Sequence, residues 1–213
     1  MSRTRREYIA EVFGQEPREL AAIRAAMTEP DDQISVPPED GRLLQLLVSL
    51  SGAKKIVEIG TLGGYSSTWM AQALPADGVI YTLEYEDRRA DIAQAHFQKY
   101  APGKNIQIIR GRALDTLPGL SAKGPFDLVF IDADKVSYAK YLDWAEANVR
   151  SGGLIIGDNT FLFDAVLDER TGDRVRETAL AAMLDFNRRL ANPDKYLAMM
   201  FNTGQGMTIA RKL

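Results

Sequence analysis

Apolar positions along the chain alternate between a helical and an extended spacing, and this alternation predicts the order of the elements. Two helices are predicted first, over residues 16–27 and from Pro37 to Gly52. Strands are then predicted at residues 55–59, 79–84, 106–110, 126–132 and 153–158. The helices that follow are predicted at residues 66–74, 87–100, 136–149 and 173–190. A helical N-terminal segment is thus followed by strands that alternate with helices.

Alternating strands and helices are typical of a parallel sheet with helices on both faces. Two more extended segments, at residues 196–201 and 207–212, flank Asn202-Thr203-Gly204-Gln205-Gly206 and predict a closing antiparallel hairpin. We therefore expect an α/β fold. We also expect one domain over residues 1–213, in which a helical segment at 1–52 precedes the sheet-forming core at 53–213.

The composition restricts the chemistry that is open to this chain. Its 213 residues contain no cysteine and one histidine, His96. The absence of cysteine excludes disulfides, thiol nucleophiles and cysteine-ligated metals. A Ser-His-Asp triad would have to use His96, which lies in the middle of a predicted helix and is interpreted as structural. Acid–base and metal chemistry must therefore come from carboxylates, amides, lysines or tyrosines.

The charge pattern bears on location and partners. The formal net charge is −3, whereas a general nucleic-acid-binding domain is usually basic. No apolar run approaches the ~18 residues of a membrane span, and the polar start lacks the apolar stretch of a signal peptide. We expect a cytoplasmic protein that makes no membrane contact.

A glycine-rich turn follows the first predicted strand, in the run Glu58-Ile59-Gly60-Thr61-Leu62-Gly63-Gly64-Tyr65-Ser66. Glycines let the backbone approach a ligand, and the next helix offers free N–H groups. The spacing lacks the G-x-G pair that admits a pyrophosphate, which weighs against NAD. Glu58 would repel a phosphate but not the cationic S-adenosylmethionine, and Glu84 ends the second strand, where an acid binds ribose hydroxyls. Alternatively, the glycines only shape a turn, and both glutamates are solvated strand ends.

Oxygen-bearing side chains come at the ends of the fourth and fifth predicted strands. Asp132 ends the fourth strand, while Asp158 and Asn159 stand at the end of the fifth. Because the carboxyl ends of neighbouring parallel strands converge where ligands bind, we expect these side chains to lie close together. Two carboxylates and an amide suit Mg²⁺, with Mn²⁺ or Ca²⁺ as alternatives. Each residue taken alone is equally explained as a helix cap or a turn residue.

Lys135 follows Asp132 by three residues. A bound cation disfavours the charged form of a neighbouring lysine, and a general base must be uncharged. The alternative is a solvated lysine on the first turn of a helix.

Together these segments resemble the cation-dependent O-methyltransferases, the family of catechol and caffeoyl-CoA O-methyltransferases. The resemblance runs from about Ile34 to the C-terminus. It rests on Glu58-Ile59-Gly60, Gly64-Tyr65-Ser66, Glu84, Gly111-Arg112-Ala113, Asp132-Ala133-Asp134-Lys135, Asp158-Asn159-Thr160 and the terminal residues 206–212. The Asp-Ala-Asp-Lys and Asp-Asn elements are specific, whereas most S-adenosylmethionine enzymes share the glycine turn.

The resemblance implies a Rossmann-like, mostly parallel sheet of seven strands with an antiparallel final strand. It implies methyl transfer from S-adenosylmethionine to a hydroxyl of a catechol-like small molecule, with Asp132, Asp158 and Asn159 holding a divalent cation. Lys135 would be the base, Asp132 would assist it, and the protein would be a homodimer. S-adenosylmethionine would contact Val36, Glu58, Gly60, Gly64, Ser66, Glu84, Ala113, Asp132 and Asp134.

Two departures from the family pattern concern the substrate side. The run Phe161-Leu162-Phe163 replaces a polar residue of the plant enzymes and predicts a more apolar pocket. Arg112 stands where Asp or Pro is common. The charged residues 164–176 are predicted to form a mobile, solvated loop that could gate the substrate.

Three alternatives stay open. The first is methylation of a 5-hydroxyuridine in tRNA, which has the same chelating oxygens. Its basic rim would consist of Arg3, Arg5, Arg6, Arg88 and Arg89. The second is an NAD-dependent oxidoreductase, and the third is a non-catalytic S-adenosylmethionine-binding module.

Overall fold

The structure, a computed structural model, describes residues 3–13, 15–29, 34–171 and 175–213. Its described residues form a seven-stranded sheet with the order β3-β2-β1-β4-β5-β7-β6. The strands are β1 (Lys55–Ile59), β2 (Val79–Glu84), β3 (Ile106–Arg110), β4 (Phe126–Ile131), β5 (Val149–Asp158), β6 (Tyr196–Phe201) and β7 (Met207–Lys212). Strands β1 to β5 pair in parallel, and β7 runs antiparallel to both of its neighbours. The predicted α/β sheet with a reversed final strand is confirmed.

Helices connect the strands and precede them. They are α1 (Arg5–Val12), α2 (Arg18–Ala26), α3 (Pro38–Ser51), α4 (Tyr65–Ala73), α5 (Asp87–Tyr100), α6 (Ala113–Leu120), α7 (Tyr138–Asn148), α8 (Ala165–Asp168) and α9 (Glu177–Leu190). Within the described ranges, no helix is both long enough and apolar enough to cross a membrane.

Besides the short α8, which lies in a predicted loop, four helices differ from the sequence expectation. The short α1 was not predicted, because its apolar side chains Tyr8, Ile9 and Val12 stay exposed and give no buried stripe. Helix α6 was also missed, since it contains Pro118. The predicted helix at 136–149 begins instead with a 3-10 turn, Lys135–Ser137. The predicted helix start at residue 173 lies outside the described residues, and α9 begins at Glu177.

The central strands β1, β2 and β4 are buried on both faces, as parallel strands between two helical layers must be, whereas the outer strands β3 and β6 are partly exposed. Along β1, Val57 and Ile59 belong to one apolar cluster and Ile56 belongs to the other. Leu20 of α2 and Leu44 of α3 pack into the same cluster as Ile56. The N-terminal segment is therefore packed against the sheet by apolar contacts.

The strand order reverses at β1, which has β2 on one side and β4 on the other. The connections that leave β1 and β4 therefore diverge to opposite faces and leave a crevice beyond the carboxyl ends of these strands. This reversal fixes where a ligand can bind.

Candidate active site

A cleft of about 910 Å³ opens at the carboxyl ends of the central strands. It brings together most of the residues that the sequence singled out. Those that line it are Val36, Gly60, Ser66, Glu84, Ala113, Asp132, Asp134, Lys135 and Asn159. Three other candidates, Glu58, Gly64 and Asp158, lie elsewhere.

The glycine turn packs directly against the end of β4. Gly60 has a φ of +105°, and a Cβ at this position would lie 2.0 Å from the backbone oxygen of Asp132. The backbone N–H of Asp132 donates to the Ile59 oxygen at 2.9 Å. Any side chain at residue 60 would therefore push the turn away from Asp132.

Glu84 fixes the other side of this turn. Its Oε2 accepts the backbone N–H of Leu62 at 2.8 Å, and its Oε1 accepts that of Glu86 at 3.0 Å. The carboxylate is nearly buried but still lines the cleft. Its orientation is therefore set before any ligand binds.

His96 also holds the turn, which sequence reasoning missed. Its Nδ1 lies 2.8 Å from the backbone oxygen of Gly63. Because a carbonyl oxygen can only accept, Nδ1 must carry the hydrogen. The residue lies within α5 as predicted, but nothing in the local pattern signals a contact 33 residues away.

Gly64 does not line the cleft, and the cofactor contact expected of it stays a prediction. It directly precedes α4 with a φ of +80°, and a Cβ there would lie 2.4 Å from the ring of Phe97. Its role is to let the turn pack closely on α5.

Glu58 does not line the cleft either, and its expected cofactor contact also stays a prediction. Its side chain is fully buried and accepts hydrogen bonds from three hydroxyl groups, those of Ser66 at 2.5 Å, Thr82 at 2.6 Å and Ser67. Burial raises the pKa of Glu58 to about 7, although these three hydroxyl groups act against the shift. The carboxylate touches the cleft only through Ser66, which lines it.

Asp132 and Asp158 come together at the ends of two neighbouring strands. Ile131 of β4 is in register with Gly157 of β5, so each aspartate directly follows that pair. Asp158 is buried, and burial together with the charge of Asp132 raises its pKa. Asn159 has a φ of +56° and donates its Nδ2 to Asp158 Oδ2 at 3.1 Å. The predicted convergence of these three side chains is confirmed.

Asp158 faces a second, smaller cavity of about 260 Å³ that adjoins the cleft. Val36 and Asn159 line both spaces, and the buried Asp40 of α3 lines the smaller one. The two cavities together surround the ends of β4 and β5.

The side chain of Lys135 also lies at the ends of β4 and β5. Its Nζ lies 3.0 Å from Asp132 Oδ1, 2.7 Å from Tyr138 Oη and 3.4 Å from the backbone oxygen of Asp158. Tyr138 is buried, whereas Tyr141 lines the cleft and donates its Oη to Asp134 Oδ2 at 2.5 Å. Tyr138 therefore belongs to the core and Tyr141 to the cleft wall.

The donor set fits a hard divalent cation. In the described ranges no cluster of three or more histidine or acidic side chains could hold a metal. The candidate ligands that remain are the carboxylates of Asp132 and Asp158 and the side-chain amide of Asn159. Two carboxylates next to each other in a buried setting carry charge that a divalent cation would neutralise, and their oxygens are the ligands that Mg²⁺ prefers.

The apolar run 161–163 contributes one aromatic side chain to the cleft, that of Phe163. Phe163 lines the cleft and is 55% exposed, whereas Leu162 is buried and the Phe161 ring packs against Gly206. Only Phe163 of the apolar run therefore presents its ring to the cleft. Within the predicted loop at 164–176, the structure has the short helix α8, and residues 172–174 lie outside the described residues.

The basic rim proposed for a tRNA substrate has little support. Arg3 forms an ion pair with Glu11, and Arg89 lines the cleft but pairs with Glu86 at 3.1 Å. The side chains of Arg5 and Arg6 lie outside the described residues.

Comparison with known proteins identifies the family. The family model described as O-methyltransferase matches residues 11–213. A catechol O-methyltransferase of Niastella koreensis is 42% identical over 186 residues, which cover 86% of this chain and 82% of that protein.

Two solved structures agree with this match. The O-methyltransferase TomG from Streptomyces achromogenes, involved in tomaymycin synthesis and solved with S-adenosylmethionine, is 34% identical with a TM-score of 0.86, and the match covers 96% of this chain and 94% of that one. An O-methyltransferase from Bacillus cereus, solved with S-adenosylhomocysteine, is 32% identical with a TM-score of 0.84, covering 97% and 96%. The chain belongs to the S-adenosylmethionine-dependent O-methyltransferase family.

Proposed function

We propose that this enzyme methylates one hydroxyl of a catechol-like small molecule with the help of a divalent cation, Mg²⁺ first, held by Asp132, Asp158 and Asn159. The observation that carries the proposal is the meeting of these side chains with Lys135 at the ends of β4 and β5. The identity to a catechol O-methyltransferase supports the acceptor class. Family membership leaves no support for an NAD-dependent oxidoreductase.

The cofactor side of the cleft would bind S-adenosylmethionine through a preformed surface. Two backbone N–H groups orient the carboxylate of Glu84. This carboxylate would accept hydrogen bonds from the ribose hydroxyls. Gly60 and Ser66 would let the methionine portion approach the turn, with Val36 closing over it. Ala113 and Asp134 complete the wall, and Glu58 and Gly64 act indirectly, through Ser66 and through the packing of the turn.

The acceptor side would generate the nucleophile. A divalent cation held by Asp132, Asp158 and Asn159 would supply one thing, a lower pKa for an acceptor hydroxyl beside it. Lys135 Nζ, held 3.0 Å from Asp132, would take that proton. The resulting oxygen anion would form the new O–CH₃ bond as the S–CH₃ bond of the sulfonium breaks, and the leaving thioether is neutral. Because opposite charges cancel in this step, the site has to supply position more than charge stabilisation.

Intact catalytic candidates argue against a non-catalytic module. Lys135, Asp132, Asp158 and Asn159 are all present and assembled. A binding module would not need them. The homodimer, the single-domain organisation and the cytoplasmic location stay predictions, and sedimentation analysis would test the first.

An acceptor comparison tests the proposal. Labelled methyl transfer would be measured with Mg²⁺ to 3,4-dihydroxybenzoate, to 4-hydroxybenzoate and to bulk tRNA. We expect transfer to the vicinal diol and at least ~100-fold less to the single hydroxyl, which cannot chelate. Equal transfer to both benzoates, or transfer to tRNA alone, would overturn the proposed acceptor.

A further inference from the structure

We propose that Tyr138 is a positioning residue that fixes the Nζ of Lys135 at the ends of β4 and β5. This inference rests on the proposed function, in which Lys135 is the base. Nothing in the sequence pattern separates Tyr138 from an ordinary core tyrosine at the start of α7.

The hydroxyl of Tyr138 stands at the meeting point of three groups. Its Oη accepts a hydrogen bond from Lys135 Nζ at 2.7 Å. It also lies 2.9 Å from the backbone oxygen of Ile131 and 2.7 Å from that of Asp158. A phenol has one O–H, so it donates to one of these carbonyl oxygens at a time and keeps a lone pair for the lysine.

The two carbonyl groups link Tyr138 to the proposed cation ligands. Ile131 directly precedes Asp132, and the second carbonyl belongs to Asp158 itself. One hydroxyl therefore contacts the ends of both strands that carry the acidic ligands.

The ring of Tyr138 cannot move with the lysine, because it is held in the core. The residue has no exposed surface, and its ring lies 5.2 Å from that of Phe186 and 6.4 Å from that of Tyr141, centroid to centroid. Lys135 Nζ lies 4.7 Å from the centroid of the same ring. A fixed ring thus offers its hydroxyl and its face to a long, flexible lysine side chain, which needs such contacts to offset the rotamer entropy it loses on being ordered.

Tyr138 is not a rival base. Burial, together with the charges of Asp132 and Asp158, raises the pKa of its phenol well above 10. The hydroxyl therefore stays neutral and acts by hydrogen bonding.

The test compares Tyr138→Phe with a matched control, Tyr196→Phe. Tyr196 is also buried and also bonds to α7, through Glu146 at 2.9 Å, but it does not line the cleft. With 3,4-dihydroxybenzoate and Mg²⁺ we expect Tyr138→Phe to lower kcat about 10–100-fold, a common cost of losing a group that orients a catalytic side chain. The KM for S-adenosylmethionine should stay within about twofold, and the control should keep its kcat within about twofold. An unchanged kcat in Tyr138→Phe would overturn the inference.

A double variant separates this inference from the proposed function. If Tyr138 acts through Lys135, adding Tyr138→Phe to Lys135→Ala should lower kcat by less than about threefold further. A full additional loss would show that Tyr138 acts independently and would overturn the inference. Retained activity in Lys135→Ala alone would overturn the base assignment, and the inference with it. Loss in Lys135→Ala together with normal Tyr138→Phe would overturn the inference alone.

A measurement on the unaltered protein covers the case in which Tyr138→Phe does not fold. Nitrogen-15 relaxation of the lysine Nζ groups would compare Lys135 with Lys140, an exposed lysine on α7. We expect Lys135 to show the higher order parameter. Equal mobility of the two groups would overturn the inference.

Discussion

Two buried carboxylates, Glu58 in β1 and Asp158 at the end of β5, serve different ends although burial raises the pKa of both. Glu58 accepts hydrogen bonds from three hydroxyl groups and lines neither of the two cavities described above. Asp158 accepts one amide N–H from the Asn159 side chain, lies beside Asp132 and lines a cavity. Burial and a raised pKa therefore do not by themselves distinguish a proposed cation ligand from a structural carboxylate. The cavity and the neighbouring carboxylate of Asp132 are what set Asp158 apart.

Substitutions at Asp158 and at Glu58 should differ most in their effect on kcat. We expect Asp158→Asn to lower the rate of methyl transfer to 3,4-dihydroxybenzoate at least ~1000-fold. Removing one carboxylate would weaken binding of the cation, and a bound cation lowers the activation barrier by several kcal/mol. The affinity for S-adenosylhomocysteine should change less than about threefold. Kinetics and calorimetry would measure the two effects.

Glu58→Gln is the matched control for that variant. Because Glu58 does not line the cleft, we expect turnover within about threefold of the unaltered enzyme. Loss of turnover equal to that of Asp158→Asn would erase the distinction between the two carboxylates.

The next largest effect is expected in the pH dependence of the unfolding free energy, through Glu58. The pKa of Glu58 is raised from 4.5 to about 7, so folding favours its protonated form. No cost arises below pH 4.5, and the cost grows to about 3 kcal/mol as pH rises through 7. Glu58→Gln should therefore gain up to about 3 kcal/mol in unfolding free energy, relative to the unaltered protein, between pH 5 and pH 8. Urea unfolding at both pH values checks this, and a difference that does not depend on pH would contradict it.

A smaller effect is expected on the cofactor side. Glu84→Gln should raise the KM for S-adenosylmethionine about 10–100-fold, since a hydrogen bond to a charged group contributes about 1.5–3 kcal/mol. The kcat at saturating cofactor should change little, because Glu84 lies away from the acceptor. Initial rates over a range of S-adenosylmethionine concentrations would measure both constants. A lower kcat with an unaltered KM would contradict the proposal that Glu84 binds the ribose.

His96 should give the smallest effect. His96→Phe removes the hydrogen bond to Gly63, which contributes about 0.5–1.5 kcal/mol. We expect a rise of about threefold to tenfold in the KM for S-adenosylmethionine and no change in acceptor KM. A change confined to the acceptor would show that the turn does not depend on His96.

The sequence predicted the placement of side chains at strand ends better than the packing around the glycine turn, for a physical reason. Asp132, Asp158 and Asn159 lie at strand ends, and the topology of a parallel sheet alone brings such ends together. The roles of Glu58, Gly64 and His96 depend on which side chains pack against the turn from α5 and β2. Local spacing carries no such information. The same holds for Tyr138, whose partners are backbone oxygens of two different strands.

The cation requirement of methyl transfer tests the central claim most directly. After treatment with EDTA, and with metal content confirmed as substoichiometric by elemental mass spectrometry, the rate of methyl transfer to 3,4-dihydroxybenzoate would be followed as Mg²⁺ is added back. We expect a background rate in EDTA and a saturable return to the original rate as Mg²⁺ is restored. A full rate in EDTA would contradict the assignment of Asp132, Asp158 and Asn159 as cation ligands.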